Sequence, residues 1–320
     1  MRALAAPGYG PLETLRAIEA PLPVPRRGEL RVRVVASALN PADYKVVLGT
    51  MKFLHARSKP LVVGYDFSGT VDALGPDTAG WSLGDEVFGF LPYGPGNSRG
   101  AFAEMLIARH DEVARKPASV SHERAAAAAT TGVTAIQSMR DLGRLGRGGR
   151  VAITGVSGGV GSIAVPVAKR LGATVFAVGS GKGLELARRL GADETWDRTK
   201  GAVPPRRADH ELDVVFDAAA SYRWGHWRPA LKAGGAFVTT LPTFGFVVDK
   251  LGSLFSRTRV HVVMVKSRPA DLALLGRWLE DGLEVPIAST VPVRGVAAAL
   301  AKLEQGAAGG RVAVEVAGGF

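Results

Sequence analysis

Two spacings of apolar residues divide this chain. Up to about residue 121 they come as short runs with strand character, at 30–36, 67–73, 86–90 and 101–107, parted by Pro/Gly-rich turns such as 21–28 and 92–100. That pattern predicts an antiparallel, barrel-like domain. From Ser121 onward helices and strands alternate, the signature of a parallel sheet. Ser121 and the alanine run 125–129 open a helix that leads to Thr130 and Thr131. Strands are predicted at 151–154, 174–178, 213–217, 236–240 and 260–265. A helix comes next at 271–281, then an extended or irregular stretch at 285–293, a helix at 296–305 and a last strand at 311–316. These last elements are expected to return to the first domain. The expected division is therefore 1–121 with 268–320 as one domain, and 122–267 as an α/β insertion.

The segment 151–180 carries the most specific signal. A buried strand runs into a turn with four glycines in seven residues (Gly155, Gly158, Gly159, Gly161). The next helix places Val160, Ile163, Ala164, Val167 and Leu171 on one face, and a second buried strand closes the unit. Such a turn offers backbone N–H groups and the positive end of a helix dipole to a pyrophosphate, with no side chains in the way. The reading is a dinucleotide site at this glycine turn; a tight turn without ligand does not easily account for so many glycines. Pro166 inside the helix removes one hydrogen bond and predicts a bend.

The residues after the second strand select the cofactor. An NAD site usually has Asp or Glu there, accepting from the ribose 2′-hydroxyl. This chain reads Gly179-Ser180-Gly181-Lys182 instead. A hydroxyl, open backbone N–H groups and a lysine suit a 2′-phosphate, which a carboxylate would repel. NADPH is the expected cofactor, although Lys182 also reads as an ordinary solvated lysine.

Composition narrows the chemistry further. The 320 residues, 47% hydrophobic, are enough for two cores, and no apolar run has the length of a membrane span. The N-terminal stretch has no secretory h-region, so a cytoplasmic location is expected. With no cysteine there is no disulfide, thiolate metal site or thiol nucleophile. The net charge of +11 comes from scattered arginines, among them Arg26-Arg27, Arg188-Arg189 and Arg206-Arg207, without interleaved aromatics. A solvated basic surface explains it better than a nucleic-acid site, and such a surface favours anionic cofactors or acyl-CoA.

Four further stretches match one family: Asn40-Pro41-Ala42-Asp43-Tyr44-Lys45, Gly64-Tyr65-Asp66-Phe67-Ser68-Gly69, Gly84-Asp85-Glu86-Val87-Phe88-Gly89 and Gly100-Ala101-Phe102-Ala103-Glu104. With the glycine turn, and over essentially the whole chain, they resemble the medium-chain dehydrogenase/reductase superfamily, in its zinc-independent quinone oxidoreductase and enone reductase branch. The resemblance implies a GroES-like β-barrel catalytic domain with an inserted doubly wound Rossmann sheet, and a cleft where NADPH passes hydride to substrate. It implies no metal, because zinc-dependent relatives place Cys and His where this chain has Asn40 and Tyr65. Without a Lewis acid, reduction of a quinone or of an activated C=C is the natural chemistry.

By the same resemblance Ser157, Gly158, Gly159 and Val160 form the pyrophosphate turn, Ser180 and Lys182 lie at the 2′-phosphate, and Thr131 lies near the nicotinamide. Arg311 matches a cofactor-side basic residue. Arg198 stands where relatives carry a tyrosine beside the adenosine; it can stack on adenine, pair with the phosphate, or simply face solvent. A tyrosine that some relatives have after the Asn-Pro-x-Asp helix is replaced by Thr50-Met51. Asn40, Tyr44, Lys45 and Tyr65 are the candidate catalytic groups, with Lys45 chosen to hold the enolate oxygen and a solvated helix lysine as its plain alternative. Tyr222, Trp224, Trp227, Phe244 and Phe246 are either a substrate wall or core aromatics. An enoyl-thioester reductase and an NADPH-binding protein with little turnover remain alternative functions. The residues 259–265 read as a sheet edge, and a homodimer joined there is expected, as in relatives.

Overall fold

A computed structural model describes residues 1–50, 52, 59–94, 97, 99–201, 203–204, 211–306 and 310–320. Met51, Arg206 and Arg207 lie outside the described residues. The chain forms two compact units, Met1–Thr130 with Lys266–Phe320, and Thr131–Val265.

The discontinuous unit is mostly antiparallel. Strands β1 (Arg2–Ala6), β2 (Arg16–Glu19) and β4 (Leu61–Val62) form one small sheet in the order β2-β1-β4. The larger sheet runs β15 (Ile287–Pro292), β16 (Arg311–Glu315), β3 (Glu29–Ala38), β5 (Asp66–Leu74), β6 (Glu86–Phe90) and β8 (Val113–Arg115), and β7 (Met105–Arg109) also pairs with β3. Alternation in β3 sends Leu30, Val32 and Val34 into a core with Phe67, Val71, Val87 and Phe102. Helix α1 (Pro41–Val47) begins at Asn40 with proline in its first turn, a position that needs no N–H. It packs on α8 (Val296–Glu304), while α7 (Pro269–Glu280) packs on β8. Within the stretch expected to be extended or irregular at 285–293 lies β15, held parallel to β16.

Helix α2 (His122–Ile136) begins in this unit and ends in the next. The division therefore falls after Thr130, later than the expected 121. The first half of α2 is tied to the discontinuous unit, because the Ala127 carbonyl accepts from Arg311 Nε (2.8 Å) and Thr130 N donates to Asp66 (2.8 Å).

The second unit is a six-stranded, fully parallel sheet in the order β11-β10-β9-β12-β13-β14. Its strands are β9 (Arg150–Thr154), β10 (Thr174–Gly179), β11 (Glu194–Asp197), β12 (Leu212–Asp217), β13 (Leu231–Thr239) and β14 (Arg259–Val262). Helices α3 (Gly159–Arg170), α4 (Lys182–Arg189), α5 (Trp224–Trp227) and α6 (Phe244–Ser253) connect them. Strand order reverses between β9 and β12, the switch point where doubly wound sheets bind ligands. The proline at 166 lies within α3, which continues to Arg170.

Candidate functional site

The parallel-sheet unit builds an anion cradle at the end of β9. Gly155 has φ +65°, and a side chain there would press a Cβ to 2.6 Å from that of Ala219. A Cβ on Gly161 would overlap the Gly155 carbonyl, so α3 packs closely on its strand only with glycine there. The N-cap of α3 is Gly158, with no side-chain cap, and Ser162 N is bonded back to Gly158 O at 3.0 Å. The N–H groups of Gly159, Val160 and Gly161 thus occupy the helix positions that have no carbonyl partner within the helix. Ser157 and Gly158 are exposed, and Ser157 lies against α4, where a Cβ on Gly183 would come within 2.8 Å of it.

The ends of β10 and β11 form the rim beside this turn. Pairing sets Gly179 opposite Asp197, and Arg198 N donates to Gly179 O at 3.0 Å. Ser180, at intermediate exposure, the exposed Lys182 at the head of α4, and the exposed Arg198 therefore share one edge. The carboxylate in that region, Asp197, accepts from Thr199 N (3.0 Å) and Oγ1 (2.6 Å), which keeps its pKa below the usual range. Burial raises the pKa of the Tyr222 hydroxyl, against the nearby Arg198 charge. Open N–H groups plus a hydroxyl and two cations give this edge the chemistry of an anion site.

One organising residue escapes a reading of the sequence. Asp217, fully buried at the end of β12, accepts from Thr154 Oγ1 (2.5 Å), Ser221 N (3.2 Å) and Tyr222 N (2.9 Å). It fixes the loop after β12 beside the glycine turn. Burial raises its pKa, and the three donors oppose that rise. An acid closing a strand at the switch point is its only signal. Thr131, expected near the nicotinamide, is almost fully buried within α2.

The discontinuous unit brings Asn40 and Tyr65 together around a buried ion pair. Arg311 Nη2 meets Asp66 Oδ2 at 2.6 Å, and both side chains are 2% exposed or less. Asn40 Nδ2 donates to the same Asp66 oxygen (2.9 Å), and Asn40 Oδ1 accepts from Arg311 Nη1 (3.1 Å). Arg311 also donates to Leu39 O (2.7 Å) and Ala127 O (2.8 Å). Arg311, expected at the cofactor, has every nitrogen of its guanidinium bonded within the discontinuous unit. Asp43 Oδ2 accepts from Asn40 N (2.6 Å), while its Oδ1 is buried without a partner. Burial, reinforced by the Asp66 charge, pushes the Asp43 carboxyl up to about 8. Tyr65, 2% exposed, stacks on Tyr93 with centroids 4.2 Å apart, and burial raises its pKa strongly.

Tyr44 and Lys45 stand outside that cluster. Tyr44 is half-buried against the barrel core, its pKa raised by burial and by Glu304 of α8. Lys45 closes the last turn of α1 at intermediate exposure, and its carbonyl accepts from Thr50 N (3.0 Å). No described residue pairs with its ammonium. Among the described residues, no cluster of three or more His, Asp or Glu side chains is placed to hold a metal. Asn40 is spent on the ion pair, so it positions the cluster and does not present a ligand atom. Trp224 and Trp227 are core residues, Tyr222 and Phe246 are partly buried beside them, and Phe244 is exposed.

Comparisons agree with this architecture. Residues 26–118 match the alcohol dehydrogenase GroES-like domain, and residues 190–314 match the zinc-binding dehydrogenase family. A quinone-oxidoreductase homolog of chloroplasts from Spinacia oleracea is 29% identical over 328 residues, covering 98% of each chain. A 2-methylene-furan-3-one reductase from Solanum lycopersicum is 31% identical over 84% of this chain and 71% of its own. The solved quinone oxidoreductase from Coxiella burnetii superposes with a TM-score of 0.88 at 27% identity, covering 99% of both chains. With both domain models matched and these relatives spanning the chain, this is an oxidoreductase of the medium-chain dehydrogenase/reductase superfamily, in its quinone oxidoreductase and enone reductase branch.

Proposed function

We propose that this protein is an NADPH-dependent reductase that delivers hydride, without zinc, to a quinone or to the C=C of an α,β-unsaturated carbonyl. The observation that carries the cofactor choice is the shared edge of Ser180, Lys182 and Arg198, set together by the Arg198 N to Gly179 O bond. The named activities of the tomato and spinach relatives support the substrate class. When bound, the dinucleotide supplies the hydride. The protein's part is to hold and to stabilise. Gly159, Val160 and Gly161 N–H groups take the pyrophosphate, and Ser180, Lys182 and Arg198 take the 2′-phosphate. Lys45 donates to the substrate oxygen as charge develops there. Asn40, locked to Asp66 and Arg311, keeps the first turn of α1 in place.

The test is NADPH oxidation against a quinone, an enone, an enoyl-CoA and an aldehyde; turnover on the first two with none on the aldehyde is the expected outcome. Binding of NADPH without turnover on any of them would end the proposal. Ser180→Asp combined with Lys182→Ala should weaken NADPH by about 2–4 kcal/mol, the range for lost charge-assisted hydrogen bonds, and leave NADH nearly unchanged. Equal affinity of the wild type for NADPH and NADH would contradict the assignment. Lys45→Ala should lower turnover on an enone by about a hundredfold, the usual effect of removing one donor from a developing oxyanion, with NADPH affinity unchanged. Turnover within about threefold of wild type, under 1 kcal/mol of barrier, would make Lys45 a surface lysine.

A further inference from the structure

The parallel sheet also carries a cleft at the end away from the glycine turn. Asp213, Lys232 and Arg259 stand at the starts of β12, β13 and β14, and with Gly143, Arg144 and Gly234 they line about 380 Å³ of open space. That is room for a small ligand. Along β12, Asp213 in the cleft and Asp217 beside the glycine turn are roughly 13 Å apart, at about 3.3 Å per residue.

The Arg259 guanidinium is anchored there by backbone carbonyls. It donates to Leu142 O (2.9 Å), to Gly143 O (3.0 Å), and from two nitrogens to Gly234 O (3.1 and 3.2 Å). Gly234, at φ +81°, turns the chain at this point and donates its own N–H to Arg257 O (2.7 Å). Every acceptor of Arg259 is a neutral carbonyl, so the cation is fixed in place without a carboxylate partner. The end of the helical turn Gln137–Leu142 supplies only about half a negative charge.

A second arginine joins it. Arg144 is exposed and has φ +56°, where glycine is the usual residue after a helix, and no described residue pairs with its guanidinium. Burial, and after it the Arg144 charge, lower the Arg259 pKa. Lys232 pairs with Asp213, whose other oxygen accepts from Arg150 N (2.8 Å). Three cations against one carboxylate leave an excess of two positive charges, carried by Arg144 and Arg259. We propose that this cleft binds a phosphate dianion, free or as a monoester, held by Arg144, Lys232 and the anchored Arg259. Two guanidinium groups offer forked donors that match phosphate oxygens, and a dianion balances the excess charge. A single carboxylate would leave one charge over, and a metal cation would be repelled. Capping the helix end accounts for Arg259 alone, and leaves Arg144 and Lys232 on the same cleft without a role.

Amide resonances of the full chain, titrated with sodium phosphate at pH 8 and constant ionic strength, report on the cleft directly, since phosphate is then mostly a dianion. Gly143, Arg144, Lys232 and Gly234 should shift along a saturating curve, and chloride at the same ionic strength should not reproduce it. Site-resolved amides keep this response separate from any phosphate taken up at the glycine turn. In the double variant Arg144→Gln with Lys232→Gln, the apparent Kd at the cleft should rise at least about tenfold, as charge-assisted hydrogen bonds are lost. The amides of 158–161 should respond as they do in wild type. Shifts linear in phosphate concentration, the same shifts with chloride, or an unchanged Kd in the double variant would overturn the proposal. AMP in place of phosphate separates the two sources. Tighter binding than inorganic phosphate assigns the cleft to monoesters, and equal or weaker binding assigns it to free phosphate.

Discussion

Arg311→Met should destabilise the protein by about 3–5 kcal/mol, the usual consequence of removing one partner from a buried ion pair. The loss is large because burial already raises the Asp66 pKa against the opposing Arg311 charge, and the variant would leave that carboxyl buried without its counter-ion. Three backbone or side-chain acceptors, Leu39 O, Ala127 O and Asn40 Oδ1, would lose their donor in the same step. Asp66→Asn combined with Arg311→Met should recover much of the loss, since no uncompensated charge then remains. The Asn carbonyl would still accept from Thr130 N, as Asp66 does now at 2.8 Å. Denaturant midpoints at constant m-value measure both effects. A single variant within about 1 kcal/mol of wild type would mean that the pair is not held as described. Cofactor affinity should be retained in any fraction that stays folded, because Arg311 is buried in the interior of the discontinuous unit.

The contrast between Arg311 and the glycine turn explains what the sequence could and could not reveal. The proposed dinucleotide site rests on consecutive residues: a strand, Gly155 to Gly161, a helix, then Ser180 and Lys182 at the next strand's end. Local spacing carries all of it. The fold class was legible for the same reason, through the change of apolar spacing near residue 121. Arg311 and Asp66 lie 245 positions apart and meet because β16 and β5 both pair with β3. A single sequence gives no sign of that meeting, so the arginine reads as a cofactor contact. The unit boundary moved for a related reason, since the tie from Ala127 and Thr130 to the barrel is a tertiary fact. Helix α6 was hidden because its aromatic residues suggest a buried wall, whereas Phe244 is exposed and Gly245, Gly252 and the buried Asp249 take the inner side. Asp43 reads only as part of Asn-Pro-x-Asp, although its environment gives it a strongly displaced carboxyl.

That displacement predicts how stability depends on pH. Burial, the larger cause, and the neighbouring Asp66 charge push the Asp43 carboxyl up to about 8 in the folded protein, from an ordinary value of 3.8. Between those values the native state binds a proton that the unfolded chain has released. Stability from this group is therefore complete below about pH 4 and is lost as pH rises through about 8, at about 1.4 kcal/mol per pH unit. Other groups act on the same curve. His122, with its pKa lowered mainly by burial, contributes the opposite slope below its unfolded value. Carboxylates such as Asp72, held low against burial by Arg31 and Arg33, and Glu86, held low by Lys116, act near and below pH 4. Asp43→Asn isolates the Asp43 contribution, because its side-chain carbonyl still accepts from Asn40 N, now at 2.6 Å, and carries no proton to lose. The variant's stability relative to wild type should rise steadily from pH 5 to pH 8 and level off above. Parallel stability curves for the two proteins across that range would show that Asp43 is already ionised at neutral pH. With the proton in place, Asp43 adds no second negative charge beside Asp66, whose partner is Arg311 at 2.6 Å.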